Sequence, residues 1–260
     1  MGDDHIRAPE KYDPRSHPPV AVTVDVITFT ILQDQLQVLL VRRGQDPYLG
    51  FWALPGGFVL PDEDLDTAAL RELQEETGIV AMPGHLEQLG TYGAPGRDPR
   101  MRVITVAYWA ILANLPEPRG GGDASHAALF PVVMVEANAV RLAFDHREIV
   151  ASAVERVRSK LEYTTLAAQF CPPEFTISQL RQVYEAVWNA RLESTNFHRK
   201  VRATPGYLRS TGGRTDPGEE GGRPAEIYQP GPAVYLLSPI SRSPRRRNPP
   251  PPNQPPGLIP

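Results

Sequence analysis

The sequence predicts a mixed α/β (α+β) protein of two modules with a loose segment at each end. In the first half, runs rich in Val, Ile, Leu and Thr alternate with helical segments. The net charge changes sign, because residues 1–159 hold 14 basic and 22 acidic side chains and residues 160–260 hold 13 and 8. Such asymmetry indicates two modules with different partners, the basic one being a candidate for binding a polyanion.

The composition excludes several classes of protein. With 27 Lys+Arg against 30 Asp+Glu, the 260-residue chain is too evenly charged for a histone-like polycation. A single cysteine, Cys171, excludes an internal disulfide and a cysteine-rich zinc module. No apolar run approaches the roughly 18 residues of a membrane span, and the start MGDDH is acidic where a secretory signal is basic. We therefore expect a cytoplasmic protein with no membrane partner.

Three strand-like runs dominate the first half. Val20–Leu32 and Leu36–Arg43 are β-rich and flank a turn at Asp34, which predicts an antiparallel hairpin. Arg102–Leu112 is the third strong run. These strands are expected to form the sheet of the first module.

Two helices are predicted in the same half. Leu65–Thr77 is preceded by Asp64, a suitable N-cap, and followed by Gly78, which suits a left-handed C-terminal residue. Ile149–Leu161 follows a capping-box spacing that starts at Asp145. Both boundaries therefore rest on specific end signals.

The second half has a different pattern. Phe175–Val187 and Ser194–Arg202 are typical of two short helices. Thr211–Gly222 is a glycine-rich loop between two strand-like pieces, Tyr207–Ser210 and Ala225–Tyr228. This order predicts a small helical module followed by a hairpin.

Composition and pattern together give the domain boundaries. We expect a flexible N-terminus at residues 1–19, a first domain at 20–162 and a second at 163–238. The 22 residues from Pro239 onward contain nine prolines, which predicts a disordered Pro/Arg-rich tail at 239–260.

The acidic segment Gly57–Ile79, GFVLPDEDLDTAALRELQEETGI, is the most informative part of the chain. On a helix, Glu72, Glu75 and Glu76 lie within one 100° arc, so that three carboxylates share a face. A solvated acidic face is one interpretation. The alternative is a site for Mg²⁺ or Mn²⁺, since these ions prefer hard oxygen ligands and bridge proteins to phosphates.

This segment resembles a complete Nudix box, G-x5-E-x7-R-E-U-x-E-E-x-G-U, where U is aliphatic. The matching residues are Gly57, Glu63, Arg71, Glu72, Leu73, Glu75, Glu76, Gly78 and Ile79. The resemblance implies a Nudix α/β/α sandwich that hydrolyses a nucleoside diphosphate linked to another group. The metal ligands that it implies are Gly57, Glu72, Glu75 and Glu76. It also implies that Arg71 orients the glutamates, and that Glu63 is a further ligand or supports one.

Two flanking stretches resemble the Nudix proteins that handle ADP-ribose: DPYLGFWALPGGFV at 46–59 and GRDPRMRV at 96–103. Arg97, Arg100 and Arg102 would pair with the diphosphate, because guanidinium forks match phosphate oxygens.

The aromatic residues of the first half have two interpretations. Phe51, Trp52, Tyr108 or Trp109 would stack on adenine, but for any one of them a core position is the better expectation because both stretches are apolar. His146 is a candidate proton carrier, and the simpler expectation is a partly exposed residue at a helix start.

In the second module, Ser194–Arg202 is the candidate recognition helix of a winged helix-turn-helix. Phe197 and Val201 are expected to face inward. The candidate DNA-binding residues, including one on the wing, are Asn196, His198, Arg199, Lys200, Arg202 and Arg209. Pattern alone slightly favours another interpretation, in which this basic amphipathic helix docks on the first domain.

Pro172–Val201 and Gly221–Pro230 resemble the C-terminal winged helix of the NrtR family of Nudix-related transcriptional regulators. The resemblance covers about residues 20–230 and implies an ADP-ribose-responsive regulator of NAD metabolism that binds operator DNA. One winged helix has a small footprint, so we expect a homodimer on a two-fold related operator. Many members have a degraded box, whereas this chain keeps every box residue. We therefore expect some retained hydrolysis. The alternative function is a Mg²⁺-dependent pyrophosphohydrolase of ADP-ribose or a related nucleotide.

Overall fold

A computed structural model describes residues 13–80, 84–113, 115–116, 118–216 and 224–242 of the chain. It divides into two compact units. The first comprises the described parts of Met1–Val157 and Gln169–Pro172, and the second those of Arg158–Ala168 and Pro173–Pro260. None of the helices in these described ranges has the length and apolar character needed to cross a bilayer.

The first unit is built on a seven-stranded sheet within the described residues. The strands are β1 Ala21–Leu32, β2 Gln35–Arg43, β3 Trp52–Ala53, β4 Gly56–Phe58, β5 His85–Tyr92, β6 Val103–Ile111 and β7 Ala124–Pro131. The main order is β3-β2-β1-β6-β5, with β4 also paired to β1 and β7 to β2. Only the β1–β6 pairing is parallel among these strands. The mixed sheet confirms the predicted α/β class.

The predicted hairpin is confirmed. Strands β1 and β2 pair antiparallel with Leu32 opposite Gln35, and Gln33 and Asp34 form the turn. Both turn residues have positive φ, 52° and 58°, as a two-residue turn that matches the twist of its strands requires. The turn fixes which side chains of the two strands face the core.

The first unit contains three α-helices among its described residues: α1 Leu65–Thr77, α2 Val132–Glu136 and α3 His146–Tyr163, whose last turns belong to the second unit. Both predicted ends of α1 are confirmed. The Asp64 carboxylate accepts the Thr67 N–H, and Gly78, at φ 69°, donates its N–H to the Gln74 carbonyl. Helix α1 buries Ala68, Ala69 and Leu73 against the sheet, which fixes the orientation of its acidic face.

Strand β4 is not among the strand-like runs that the sequence predicts. Its residues Gly56–Phe58 pair antiparallel with β1. A Cβ on Gly56 would overlap the Val24 carbonyl oxygen, so this close approach requires glycine. The pairing brings the start of the box against the central strand.

The second unit contains α4 Ile177–Trp188, α5 Ser194–Arg202 and the antiparallel pair β8 Leu208–Arg214 and β9 Glu226–Pro230. Thr176 and Gln179 form a capping box at the start of α4. The Tyr184 ring of α4 lies 5.2 Å from the Phe197 ring of α5, and both side chains are buried. Two packed helices followed by a hairpin are the predicted layout of a winged helix.

The glycine-rich loop starts later than predicted. Strand β8 continues through Thr211 to Arg214 because the Thr211 hydroxyl donates to the Ile227 carbonyl and Arg214 pairs with Glu226, while a register shift accommodates the intervening glycines. Residues 217–223 of the predicted loop lie outside the described residues.

Both predicted loose ends fall partly outside the described residues, at 1–12 and 243–260. The described start of the tail is packed. Ile240 is 3% exposed and donates its N–H to the Glu162 carbonyl. Ile240 therefore makes defined contacts at the start of the predicted tail, and the disorder predicted for 239–260 stays a prediction. At the other end, Pro14–Ser16 forms a 3-10 turn.

Candidate functional site

The first unit contains an open cavity of about 800 Å³, counting the space that is open to solvent. Strands β1, β2 and β4, helix α1 and the loop around residues 97–100 contribute to its wall. Its charged, aromatic and histidine side chains are Asp25, Arg43, Asp46, Phe58, Glu76, Arg97, Asp98, Arg100, Asp123, Phe144 and His146. A cavity of this size with cationic and aromatic surfaces suits a phosphorylated nucleoside.

Arg71 holds the acidic side chains of the box together. Its guanidinium lies 2.6 Å from Glu63 Oε1, 2.8 Å from Glu72 Oε1 and 3.0 Å from Glu75 Oε2. Hydrogen bonds from Arg71 and from the Leu60 N–H lower the pKa of Glu63 to about 2. The position of Arg71 matches the orienting role that the box implies, although the role itself stays a prediction.

Two of the predicted metal ligands, Glu76 and Gly57, line the cavity, and Glu76 is the carboxylate of the pair. Its Oε2 accepts the Gly56 N–H at 3.0 Å. Burial raises the pKa of Glu76 to about 8, and the negative charges of Glu72 and Asp25 contribute to the rise. Glu76 is therefore largely protonated at neutral pH when no cation is bound.

Glu72 and Gly57 form the adjoining part of the site. The Glu72 side chain is buried, and this burial raises its pKa. A Cβ on Gly57 would overlap the Glu72 carboxylate, so the box glycine leaves room for that group. Glu75, with about half of its side chain exposed, turns towards Arg71.

The predicted metal ligands agree with a divalent cation in their chemistry. Carboxylate oxygens are the preferred ligands of Mg²⁺ and Mn²⁺. Glu76 is buried near the negative charges of Glu72 and Asp25, and a bound cation would offset this repulsion. Across the described residues, no three His, Cys, Asp or Glu side chains are already arranged to hold a metal ion. Glu72 and Glu75 are hydrogen-bonded to Arg71, whereas Glu76 accepts the Gly56 N–H. These different partners keep the carboxylate of Glu76 apart from the other two.

The three predicted diphosphate arginines have different environments. Arg97 is 4% exposed and makes two hydrogen bonds to Asp145, at 2.6 and 2.8 Å. Arg100 is paired with Asp98 at 2.7 Å but keeps a partly exposed guanidinium. Both line the cavity, whereas Arg102 donates to the Ala94 carbonyl and is not among the lining residues.

The predicted stacking aromatics pack within the protein. Trp52 contacts the Phe130 ring edge-on at 4.6 Å, and Phe51 packs on a small apolar cluster. Tyr108 and Trp109 are 4% and 0% exposed, as the expectation of a core position required. These four residues are not among those that line the cavity.

Phe58 and Phe144 are the aromatic residues of the cavity wall that sequence reasoning missed. The Arg100 guanidinium lies 5.4 Å from the Phe58 ring centre, and that of Arg43 lies 4.9 Å from Phe144. Phe58 occupies an unspecified position of the box, and Phe144 adopts a positive φ of 51° before α3. Neither feature gives a signal in the sequence.

His146 lies at a helix start, as expected, but the expectation that it is partly exposed is wrong. The side chain is buried, and its Nδ1 accepts the Leu54 N–H at 2.9 Å. Nε2 lies 3.4 Å from Asp25 Oδ1. Because burial lowers the pKa of His146, the ring is neutral at pH 7 and carries its proton on Nε2, facing Asp25. The residue is buried because the distant segment around Leu54 packs over the start of α3.

The predicted recognition helix α5 presents a basic surface in the second unit. Phe197 and Val201 are buried, as predicted. Asn196 Oδ1 accepts from exposed Arg199 at 2.7 Å, Lys200 Nζ lies 3.4 Å from the Pro239 carbonyl oxygen and Arg202 lies 3.4 Å from Glu226. His198 is partly buried, and Arg209 on β8 donates to Gln229. Their role in DNA binding stays a prediction.

Comparison with known proteins gives matches for both units. Residues 22–153 match the NUDIX domain model, and residues 167–229 match that of the NrtR DNA-binding winged helix domain. The ADPR responsive transcriptional repressor NtrR of Acinetobacter baylyi is 34% identical over 221 residues, which are 84% of this chain and 85% of the repressor.

Two solved structures from Shewanella oneidensis are also similar. NrtR complexed with a 27mer DNA has a TM-score of 0.71 and 32% identity, over 85% of this chain and 99% of that one. The NUDIX domain of the same protein complexed with ADP ribose has a TM-score of 0.51 and 37% identity, over 56% and 94% of the two chains. The chain therefore belongs to the NUDIX family and, with its winged-helix domain, to the NrtR-type members of that family.

Proposed function

We propose that this protein is an ADP-ribose-responsive, DNA-binding transcriptional regulator of NAD metabolism. The observation that carries the proposal is the combination, in one chain, of a polar, nucleotide-sized cavity in the first unit and a basic recognition helix in the second. The Acinetobacter repressor, which is similar over most of both chains, responds to ADPR, and its similarity supports this assignment.

The effector is ADP-ribose or a related nucleotide, bound in the cavity of the first unit. Arg100 has a partly exposed guanidinium for the diphosphate, and Phe58 and Phe144 have ring surfaces for a base or ribose. Buried Arg97, held by Asp145, adds a fixed positive charge to the wall. The co-crystal structure of the Shewanella NUDIX domain with ADP ribose supports this choice of ligand.

A divalent cation, Mg²⁺ or Mn²⁺, belongs with this ligand in the proposal. The Gly57 carbonyl and the carboxylates of Glu72, Glu75 and Glu76 would hold it. Arg71 would then give up some of its hydrogen bonds to Glu72 and Glu75. Such a cation neutralises diphosphate charge and lowers the pKa of a bound water.

Retained hydrolysis is the second candidate function. It is favoured by the intact acidic cluster, in which Arg71 contacts Glu63, Glu72 and Glu75. In this case the protein is also a Mg²⁺-dependent pyrophosphohydrolase that releases AMP from ADP-ribose. Regulation and hydrolysis are compatible, because DNA binding uses the second unit, whereas both effector binding and hydrolysis use the first.

DNA binding is assigned to the exposed polar face of α5 and to the wing residue Arg209. Basic side chains attract the phosphate backbone, and Asn196 and Arg199 suit base edges in the major groove. A single winged helix covers few base pairs, so we propose a homodimer on a two-fold related operator. The Shewanella NrtR structure with a 27mer DNA supports the assignment of DNA binding.

The test is a gel shift of the purified protein on the DNA upstream of its own gene, with and without ADP-ribose, alongside an assay for AMP release with Mg²⁺. We expect a shifted complex at low salt that ADP-ribose weakens. A Glu75→Gln, Glu76→Gln double variant should lose AMP release and keep the shift. If no promoter fragment is shifted at low salt, the protein is not a DNA-binding regulator. If the double variant loses both AMP release and the shift, hydrolysis and DNA binding do not reside in separate units.

A further inference from the structure

A second cleft lies within the winged-helix unit, with an open volume of about 660 Å³. It is bordered by the start of α4, one side of α5 and the strands β8 and β9. Its charged and titratable side chains are His198, Arg202, Arg214 and Glu226, with the Tyr228 phenol beside them. This cleft is separate from the nucleotide cavity, which belongs entirely to residues of the first unit.

His198 provides the first indication that the cleft takes a ligand. Its Nε2 is buried, and the described residues offer it no hydrogen-bond partner. Burial and the nearby charges of Arg202 and Arg181 lower the pKa of His198, which marks the surroundings of the ring as positive. A buried polar nitrogen without a partner costs free energy, and a ligand oxygen in the cleft would remove that cost.

The charges of the cleft favour an anion. Arg202 is largely exposed and lies 3.4 Å from Glu226, and Arg214 is exposed. The Glu226 carboxylate is already used inside the hairpin, where it accepts from Ser210 and Tyr228 at 2.7 Å each. The positive end of the α4 dipole also faces this cleft through Ile177 and Ser178.

We propose that this cleft binds one phosphate of the DNA backbone, with His198, Arg202 and Arg214 as donors. The inference rests on the proposed DNA-binding function and adds a division of roles on α5. His198 and Arg202, one helical turn apart, face the cleft and the phosphate. Asn196 and Arg199 lie on another side of the helix, exposed and hydrogen-bonded to each other, where they are available to base edges. The phosphate contact sets the register of α5 on the duplex, and the base contacts select the sequence.

The experiment uses the full chain and duplexes that it selects from a random-sequence pool, so that the operator need not be known beforehand. Arg202→Gln and Arg214→Gln are the test variants. Arg191→Gln is the matched control, because Arg191 belongs to the same unit, is 94% exposed and does not line the cleft. We expect each test variant to bind about tenfold more weakly to selected and to unrelated duplexes alike. The slope of log K against log salt should fall by about one, with the preferred sequence unchanged.

A scan of the selected duplex with single methylphosphonates identifies the phosphate. At one position, a neutral methylphosphonate should weaken duplex binding by wild type and by Arg191→Gln. The same substitution should not weaken duplex binding by Arg214→Gln any further. A changed sequence preference in the test variants, binding equal to that of the control, or no such shared position would overturn the proposal. Suppose that the scan finds no such position, and that inorganic phosphate raises the thermal midpoint of wild type but not of Arg214→Gln. The cleft would then bind a free phosphorylated ligand instead of the DNA backbone. If wild type selected no duplex, the DNA-binding function itself would fail, and this inference with it.

Discussion

Glu76 illustrates, at the scale of single residues, how burial changes a side chain that the sequence identifies only as acidic. Two carboxyl groups of the box differ in protonation. Arg71 keeps Glu63 ionised, with a pKa of about 2, whereas the pKa of Glu76 is about 8. The spacing of the box predicts three carboxylates on one face of α1. It does not indicate which of them is largely protonated, because that depends first on burial in the folded protein and then on the negative charges of Glu72 and Asp25.

Cation binding should therefore be coupled to release of the Glu76 proton. At pH 7 we expect Mn²⁺ binding to release about one proton per chain, and at pH 9 almost none, with affinity rising as the pH increases to about 8. Titration calorimetry in buffers of different ionisation enthalpy measures this release. Equal proton release at pH 7 and pH 9 would contradict the assignment of Glu76 as a ligand.

The same pKa determines how stability without metal depends on pH. Because the pKa of Glu76 is higher in the folded state than its ordinary value of 4.5, the unfolded state binds fewer protons between these values. The contribution of Glu76 to the free energy of unfolding is therefore full below about pH 4.5 and declines as the pH rises through about 8. Urea unfolding of wild type and Glu76→Gln should show this decline in wild type and a flatter profile in the variant.

At the scale of elements, the sequence predicts those with their own periodicity or end signals and misses others, including the eight-residue strands β5 and β7. The β1–β2 hairpin, β6, α1, α4 and α5 carry their own periodicity and end signals, and their positions are predicted to within about two residues. Strands β3 and β4 have only two and three residues, too few for a periodic pattern. They exist because β2 and β1 provide their hydrogen-bonding partners, and β4 then brings Gly57 against α1.

Gly57→Ala tests the packing of β4 against α1. The new Cβ would displace the Glu72 carboxylate, which ends a flexible side chain, so that the fold should survive while a proposed metal ligand moves. We expect Mn²⁺ affinity to fall by at least about tenfold, as displaced ligand supports typically cause, with a nearly unchanged thermal midpoint.

Gly90→Ala is the matched control, because its Cβ would meet the Tyr92 ring only at an ordinary 3.9 Å. Its Mn²⁺ affinity should equal that of wild type. Wild-type affinity in Gly57→Ala would mean that Glu72 is not needed for the cation.

At the scale of the whole molecule, the proposed regulation is a linkage between two binding sites on one chain. The cavity lies in the first unit and α5, the proposed recognition helix, in the second. Thermodynamics requires that ADP-ribose and DNA weaken each other by the same factor if they favour different conformations.

This reciprocity can be measured directly. We expect saturating ADP-ribose to raise the Kd for the selected duplex by about 5- to 150-fold, and saturating duplex to raise the Kd for ADP-ribose equally. Fluorescence anisotropy with labelled DNA and calorimetry with ADP-ribose give the two factors, with the Glu75→Gln, Glu76→Gln variant preventing turnover. Two independent affinities would show that ligand binding and DNA binding are not coupled.

The sequence alone determined the two modules, the acidic box, the recognition helix and the family resemblance, because these depend on residue types at short, regular spacings. Only the tertiary structure decided which side chains surround the cavity. Phe58, Phe144 and Asp25 join its wall, and His146 is buried against Leu54, while Trp52 and Arg102 lie elsewhere. Such neighbours are far apart in the chain and meet only when strands pair and helices pack. Local periodicity reports which face of an element is apolar, but not which distant residue will cover it.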